Sequence, residues 1–129
     1  MTFWVWLDIQ DALAIHDRSL TLHGGGSGMR DEGLLQSGLA RPQQLAAYGD
    51  DVDTIQLAAS YTAGIVQNHP SIDGNKRTGF ILGVLFLELN GHAFTASEED
   101  AANAVLRLAA GEADESDYAA FLRANTGKG

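Results

Sequence analysis

His69-Pro70-Ser71-Ile72-Asp73-Gly74-Asn75-Lys76-Arg77-Thr78 stands between two apolar stretches of helical character. Upstream, Ile55, Ala58, Thr62, Ile65 and Val66 recur at spacings of three and four and make the stripe of an amphipathic helix. His69 falls on the continuation of that stripe. Downstream, Phe80 to Leu87 is apolar nearly all round, the pattern of a buried helix at the centre of a bundle. Pro70 disfavours a helical conformation at His69, and Asp73-Gly74 is a turn pair. The stretch therefore reads as helix, turn, helix, and the chain as an all-α bundle.

Working outward, Asp8 is placed to cap a first helix from Ile9 to about Leu22, with Leu7, Ala12, Ile15 and Leu22 as its apolar positions. The run His23-Gly24-Gly25-Gly26-Ser27-Gly28 ends it as a flexible linker. Asp31 caps a second helix, Glu32 to about Ala40, which Pro42 is expected to close. Gln43 to Asp50 then reads as a mobile loop with a helical turn. A third helix starts near Asp51 to Asp53 and runs to Asn68. The fourth runs from about Gly74 to Leu89 and stops at Asn90-Gly91. His92 to Thr95 is a short extended link. Ser97 caps a fifth helix, helped by Glu98, Glu99 and Asp100 at its positive end. Gly111 separates it from a sixth, Glu115 to Ala124, and Asn125 to Gly129 is an expected frayed tail. The prediction is one domain over residues 1–129, a compact bundle of about six helices with an apolar central helix, here the fourth.

Composition narrows the function classes. The chain has 129 residues, no cysteine and a formal net charge of −9. No disulfide, thiolate metal site or cysteine nucleophile is possible, which agrees with a reducing compartment such as the cytoplasm. Sequence-independent binding to nucleic acid needs a basic face, which this charge argues against. Met1 to Trp6 lacks the basic and apolar regions of a signal peptide. The run Phe80 to Leu87 is far short of the roughly 20 apolar residues of a membrane span. The glycine run at 24–28 lacks the Gly-Lys-Ser/Thr of a phosphate-binding P-loop. His16, His23 and His92 have no metal-ligand spacing and read as surface or core residues. Trp4 and Trp6 read as packing residues.

Against that acidic background, Lys76 and Arg77 are conspicuous. They fall in the first turn of the fourth helix, where the macrodipole already places roughly half a positive charge. Two cations there ask for a bound anion. Gly74 and Asn75 present backbone N–H groups at the same helix start, the arrangement by which helix N-termini hold phosphate. Gly74 has no side chain to keep a phosphate off the backbone. Arg77 can grip a phosphoryl group bidentately and Lys76 acts as a point charge. Asp73 reads either as a helix N-cap or as a magnesium ligand beside nucleotide phosphates. His69 is a candidate general base, imidazole being the side chain best suited to proton transfer near neutrality.

The pattern His69-Pro70-x-x-Asp73-Gly74-Asn75-x-Arg77 resembles the active-site motif of the Fic superfamily. Asn75-Lys76-Arg77, where Fic enzymes usually have Asn-Gly-Arg, resembles the Doc (death-on-curing) toxin branch. Trp6 with the first helix, Arg30-Asp31 with Gly33-Leu34-Leu35, Leu39-Ala40-Arg41-Pro42-Gln43 and Phe86-Leu87-Glu88-Leu89-Asn90-Gly91 are similar to Doc-type sequence as well, so the resemblance covers nearly the whole chain. It implies a protein kinase that uses ATP and Mg2+ and moves the γ-phosphoryl to a Thr or Ser hydroxyl of a translation elongation factor of the Tu type, halting protein synthesis. It also implies a cognate antitoxin whose disordered segment folds on binding. Fic enzymes proper transfer AMP instead. That reading stays open, although Lys76 replaces the glycine that lets the α-phosphate approach. The chain departs from the family pattern at Ser71, where the family has a Phe that resembles a core anchor for the active-site loop. Ser71 favours a third reading, a catalytically dead module that only binds the antitoxin or the translation factor. No Ser/Thr-x-x-x-Glu-Gly/Asn sequence, which resembles the in-chain inhibitory helix of many Fic proteins, is present. Inhibition is therefore expected from another chain.

Overall fold

Five of the six helices begin on a side-chain oxygen. Asp8 Oδ1 accepts the Asp11 N–H at 3.0 Å while Asp11 Oδ2 accepts the Asp8 N–H at 2.9 Å, and α1 follows over Ile9–His23. Asp31 opens α2, Glu32–Tyr48, and Asp53 opens α3, Thr54–Asn68, in a reciprocal capping box with Gln56. Ser97 opens α5, Glu98–Ala109, and Asp114 opens α6, Glu115–Ala124, in a second reciprocal box with Asp117. Each such cap stabilises its helix by about 1 kcal/mol. The exception is α4, Asn75–Leu89, whose N-cap is Gly74. The computed structural model describes residues 4–23, 31–69 and 74–128. The glycine run at 24–28, Pro70, Ser71 and Asp73 lie outside the described residues.

The fold is the mostly helical bundle of six helices that the sequence predicts. Its centre, however, is α3 and not α4. Every residue from Leu57 to Val66 is buried, and α3 packs against α2, α4, α5 and α6. Small side chains make that position possible, because Ala58, Ala59, Ser60, Ala63 and Gly64 let neighbours approach from all sides. A Cβ added to Gly64 would stand 2.8 Å from the Gly38 carbonyl oxygen, so α2 and α3 cross backbone to backbone. On α4 burial is confined to one face, through Thr78, Gly79, Leu82, Gly83, Phe86 and Leu87.

Three local expectations are corrected. Pro42 does not close α2, which runs on to Tyr48, so Gln43 to Tyr48 is helix and not loop. Proline inside a helix costs about 3 kcal/mol. That cost is offset by burial of Leu35, Leu39 and Pro42 itself, at roughly 1.5–3 kcal/mol for a large apolar side chain. Pro42 cannot donate to the Gly38 carbonyl, and that carbonyl lies at the α3 crossing. On α1 the enclosed positions are Ala12, His16 and Ser19, whereas Leu22 is exposed. The tail is not frayed. Thr126–Lys128 forms β2, antiparallel to β1, His92–Phe94, with Phe94 opposite Thr126. The Thr95 N–H donates to the Asn125 carbonyl at 2.8 Å, and Phe94 stacks edge-on against Phe80 and Phe121. Pairing between segments more than thirty residues apart leaves no local sequence signal.

The segment before α1 is tied to the bundle. The Leu7 N–H donates to the Tyr61 hydroxyl at 3.0 Å, and that hydroxyl donates to the Leu7 carbonyl at 3.2 Å. Asn90 brackets Val5 in the same way through its side-chain amide. Trp4 donates to Thr54, and Trp6 lies on Phe86, so both tryptophans serve packing as expected. No helix among the described residues is long and apolar enough to cross a membrane.

Candidate functional site

The site is assembled by the join between α3 and α4. Glycines set how closely these helices approach. A Cβ on Gly79 would meet the Thr62 carbonyl oxygen and Val66 Cγ2, each at 3.1 Å. One on Gly83 would meet Thr62 Oγ1 at 2.4 Å and the Ala58 carbonyl oxygen at 3.0 Å. The Thr62 hydroxyl uses this proximity to donate to the Gly79 carbonyl at 2.7 Å. The α3 carboxyl end and the α4 amino end are thereby held as a pair.

His69 is the residue that closes α3. Its N–H donates to the Ile65 carbonyl at 3.1 Å, and its backbone is left-handed, with φ 49° and ψ 56°. Left-handed backbone costs an L-residue about 1–2 kcal/mol, although histidine is among the types found there more often. Pro70 is the local reason that the right-handed alternative is disfavoured. The helix thus ends sharply under His69 and its side chain is exposed rather than buried in the core.

Gly74 opens α4 with φ 81°, a conformation that suits glycine. Its carbonyl accepts the Thr78 N–H at 2.9 Å, the first turn of the helix. In α2, α3, α5 and α6 the N-cap side chain accepts the N–H of the third helical residue. Gly74 has no side chain to do this for Arg77. Asn75 is buried, while Lys76 and Arg77 are exposed. Neither cation forms an ion pair with a described residue. Five predicted site residues, His69, Gly74, Asn75, Lys76 and Arg77, therefore cluster where α3 ends and α4 begins. Asp73 and Ser71 lie outside the described residues. Among the described residues no group of three or more His, Cys, Asp or Glu side chains is placed to hold a metal. Magnesium held by one carboxylate and nucleotide phosphates requires no such group. The open N-terminal turn of α4 with its two exposed cations fits the phosphate side of that arrangement.

One neighbour of the site was not legible as such. His16 of α1 is buried, and a Cβ on Gly74 would lie 3.5 Å from its Nε2 and 3.7 Å from Leu20 Cδ2. The available signal was the spacing of four between His16 and Leu20, together with the same spacing from Ala12. A cleft of about 490 Å³ between α2, α3 and α6, lined by Leu45, Gln56, Ala59 and Arg123, lies at the opposite end of α3. Gln56 and His69 are separated by about 20 Å at 1.5 Å per residue.

Comparison with known proteins bears on this junction directly. The model of the Fic/DOC family matches residues 6–87, a span that contains the whole motif. The chain is similar to the protein kinase Doc of Escherichia phage P1, with 32% identity over 114 residues, 88% of this chain and 90% of that protein. It is also similar to the toxin Doc of Mycolicibacterium smegmatis, with 36% identity over 88 residues, 67% of this chain and 65% of that one. With the family match covering well over half of the sequence and the motif lying at the α3–α4 junction, the chain belongs to the Fic/DOC family.

Proposed function

We propose that this chain is a Doc-type toxin of a toxin–antitoxin pair, a protein kinase that transfers the γ-phosphoryl of ATP to a Thr or Ser hydroxyl of an elongation factor of the Tu type in the cytoplasm. The observation that carries the reading is the start of α4. There a left-handed glycine offers no side-chain cap, and two exposed cations sit in a first turn where the dipole alone disfavours them. A triphosphate satisfies both conditions. The two relatives, one a protein kinase and one a toxin by name, support the same reading.

In this reading Asn75, Lys76 and Arg77 hold and orient the phosphates, and the exposed His69 faces the incoming protein. His69 takes the proton of the target hydroxyl as its oxygen bonds to the γ-phosphorus. The bond from that phosphorus to the β–γ bridging oxygen breaks and ADP leaves. Asp73 and the phosphates would hold magnesium, which would supply charge neutralisation there. Most of the rate gain in such a transfer comes from positioning and electrostatics, which places the demand on the rigidity of the α3–α4 join. Inhibition comes from an antitoxin segment, disordered alone, that folds beside the motif and bears its ordering cost on docking.

The test uses ATP labelled separately at the α and γ positions, with the chain and purified elongation factor Tu. Label from γ on the factor is the expected result. Label from α would make the chain an AMP transferase. No label, with retained antitoxin binding, would make it a binding module, the outcome that Ser71 favours.

A further inference from the structure

The described residues include six buried polar or charged side chains, and four of them lie on α1 or in the first turn of α4: His16, Ser19, Asn75 and Thr78. Helices α1 and α4 pack together, so the packing beneath the first turn of α4 includes polar side chains, as α3 also does at Ser60 and Thr62. Burying polar groups is costly unless they are hydrogen-bonded. The Ser19 and Thr78 hydroxyls are buried with no hydrogen-bond partner among the described residues. What distinguishes His16 is its contact. Its ring edge, Nε2 and Cδ2, lies 3.5 and 3.6 Å from where a Gly74 side chain would begin, closer than Leu20.

We infer that His16 is a positioning residue that holds the left-handed Gly74 turn from behind and so sets the orientation of the Asn75 to Arg77 phosphate cradle. The inference rests on the phosphate-binding role proposed above and extends it to a second helix. Gly74 has a wide range of accessible backbone conformations. A rigid planar ring standing one methyl's contact distance beyond its Cα narrows that range. His16 touches no reacting atom in this scheme and acts through Gly74.

The experiment compares wild type, His16→Leu and His16→Gln, the last keeping a polar group of similar reach. Three quantities are read: the thermal midpoint, the Kd and KM for ATP with magnesium, and kcat. His16→Leu is expected to shift the midpoint by no more than a few degrees while Kd and KM for ATP rise about tenfold. His16→Gln is expected to restore both to within about threefold. A leucine variant with unchanged KM, or a glutamine variant that folds but restores nothing, overturns the inference. Should the leucine variant fail to fold, the wild type decides, through the His16 ring resonances on addition of ATP and magnesium. Movement of those resonances together with the Gly74 to Arg77 amides supports the inference, and stationary ring resonances beside moving amides refute it. Amides that do not respond to ATP in the wild type refute the phosphate-cradle reading itself, and the role of His16 with it.

Discussion

Gly83→Ala should destabilise this protein, although alanine is the better helix former by about 1 kcal/mol. The new methyl would stand 2.4 Å from Thr62 Oγ1 and 3.0 Å from the Ala58 carbonyl oxygen. The hydroxyl can move only by giving up its 2.7 Å bond to the Gly79 carbonyl. Leaving a buried hydroxyl unpaired costs about 1–3 kcal/mol. Overpacking against the α3 backbone costs about 1–3 kcal/mol more. After the helix-propensity gain, the net loss should be about 1–5 kcal/mol, or a midpoint lower by roughly 3–25 °C for a domain of this size. Urea unfolding followed by circular dichroism gives the free energy. The cycle with Thr62→Ala isolates the cause, since removing the hydroxyl makes room for the methyl. The double variant should be more stable than the sum of the single effects by about 1 kcal/mol or more. A Gly83→Ala protein as stable as wild type, or strictly additive effects, would refute the close α3–α4 approach on which the site geometry rests.

His69→Ala should lower kcat by ~10²–10⁴, the usual value of a general base, with ATP affinity retained in a binding assay, because His69 lies outside the phosphate cradle. Lys76→Gly should weaken γ-phosphoryl transfer and admit AMP transfer, read from the label position in the assay with doubly sourced ATP; full kinase activity with an unchanged product would contradict the role given to Lys76. Burial pushes the Tyr61 phenol up to about 12, against the opposing bond with Leu7, and burial pushes Tyr118, beside Thr62, up to about 12 as well. A raised phenol pKa stabilises the fold fully below the unfolded value of about 10 and is lost as pH rises towards 12. Stability should therefore fall between pH about 10 and 12, and Tyr118→Phe should flatten that fall in unfolding curves taken across the window.

Much of this architecture is carried by short-range sequence. Asp8, Asp31, Asp53 and Ser97 announce helix starts because capping is a contact between residues three apart. Asn90-Gly91 announces a helix end for the same reason, and Gly91 takes φ 87°. The motif was legible because it lies within ten consecutive residues at one junction, so His69 and Gly74 to Arg77 come together whatever the rest of the chain does. The sequence also exposed the conflict of two cations at a positive helix end. Tertiary structure alone decided the remainder. It carried α2 through Pro42, because burial of neighbouring side chains outweighs one lost hydrogen bond. It paired β1 with β2 across more than thirty residues, and it gave the central place to α3, since small residues permit close approach from every side while apolarity alone does not fix a position. It also set His16 of α1 behind Gly74. A contact between residues 58 positions apart depends on how two helices cross, which no local pattern specifies.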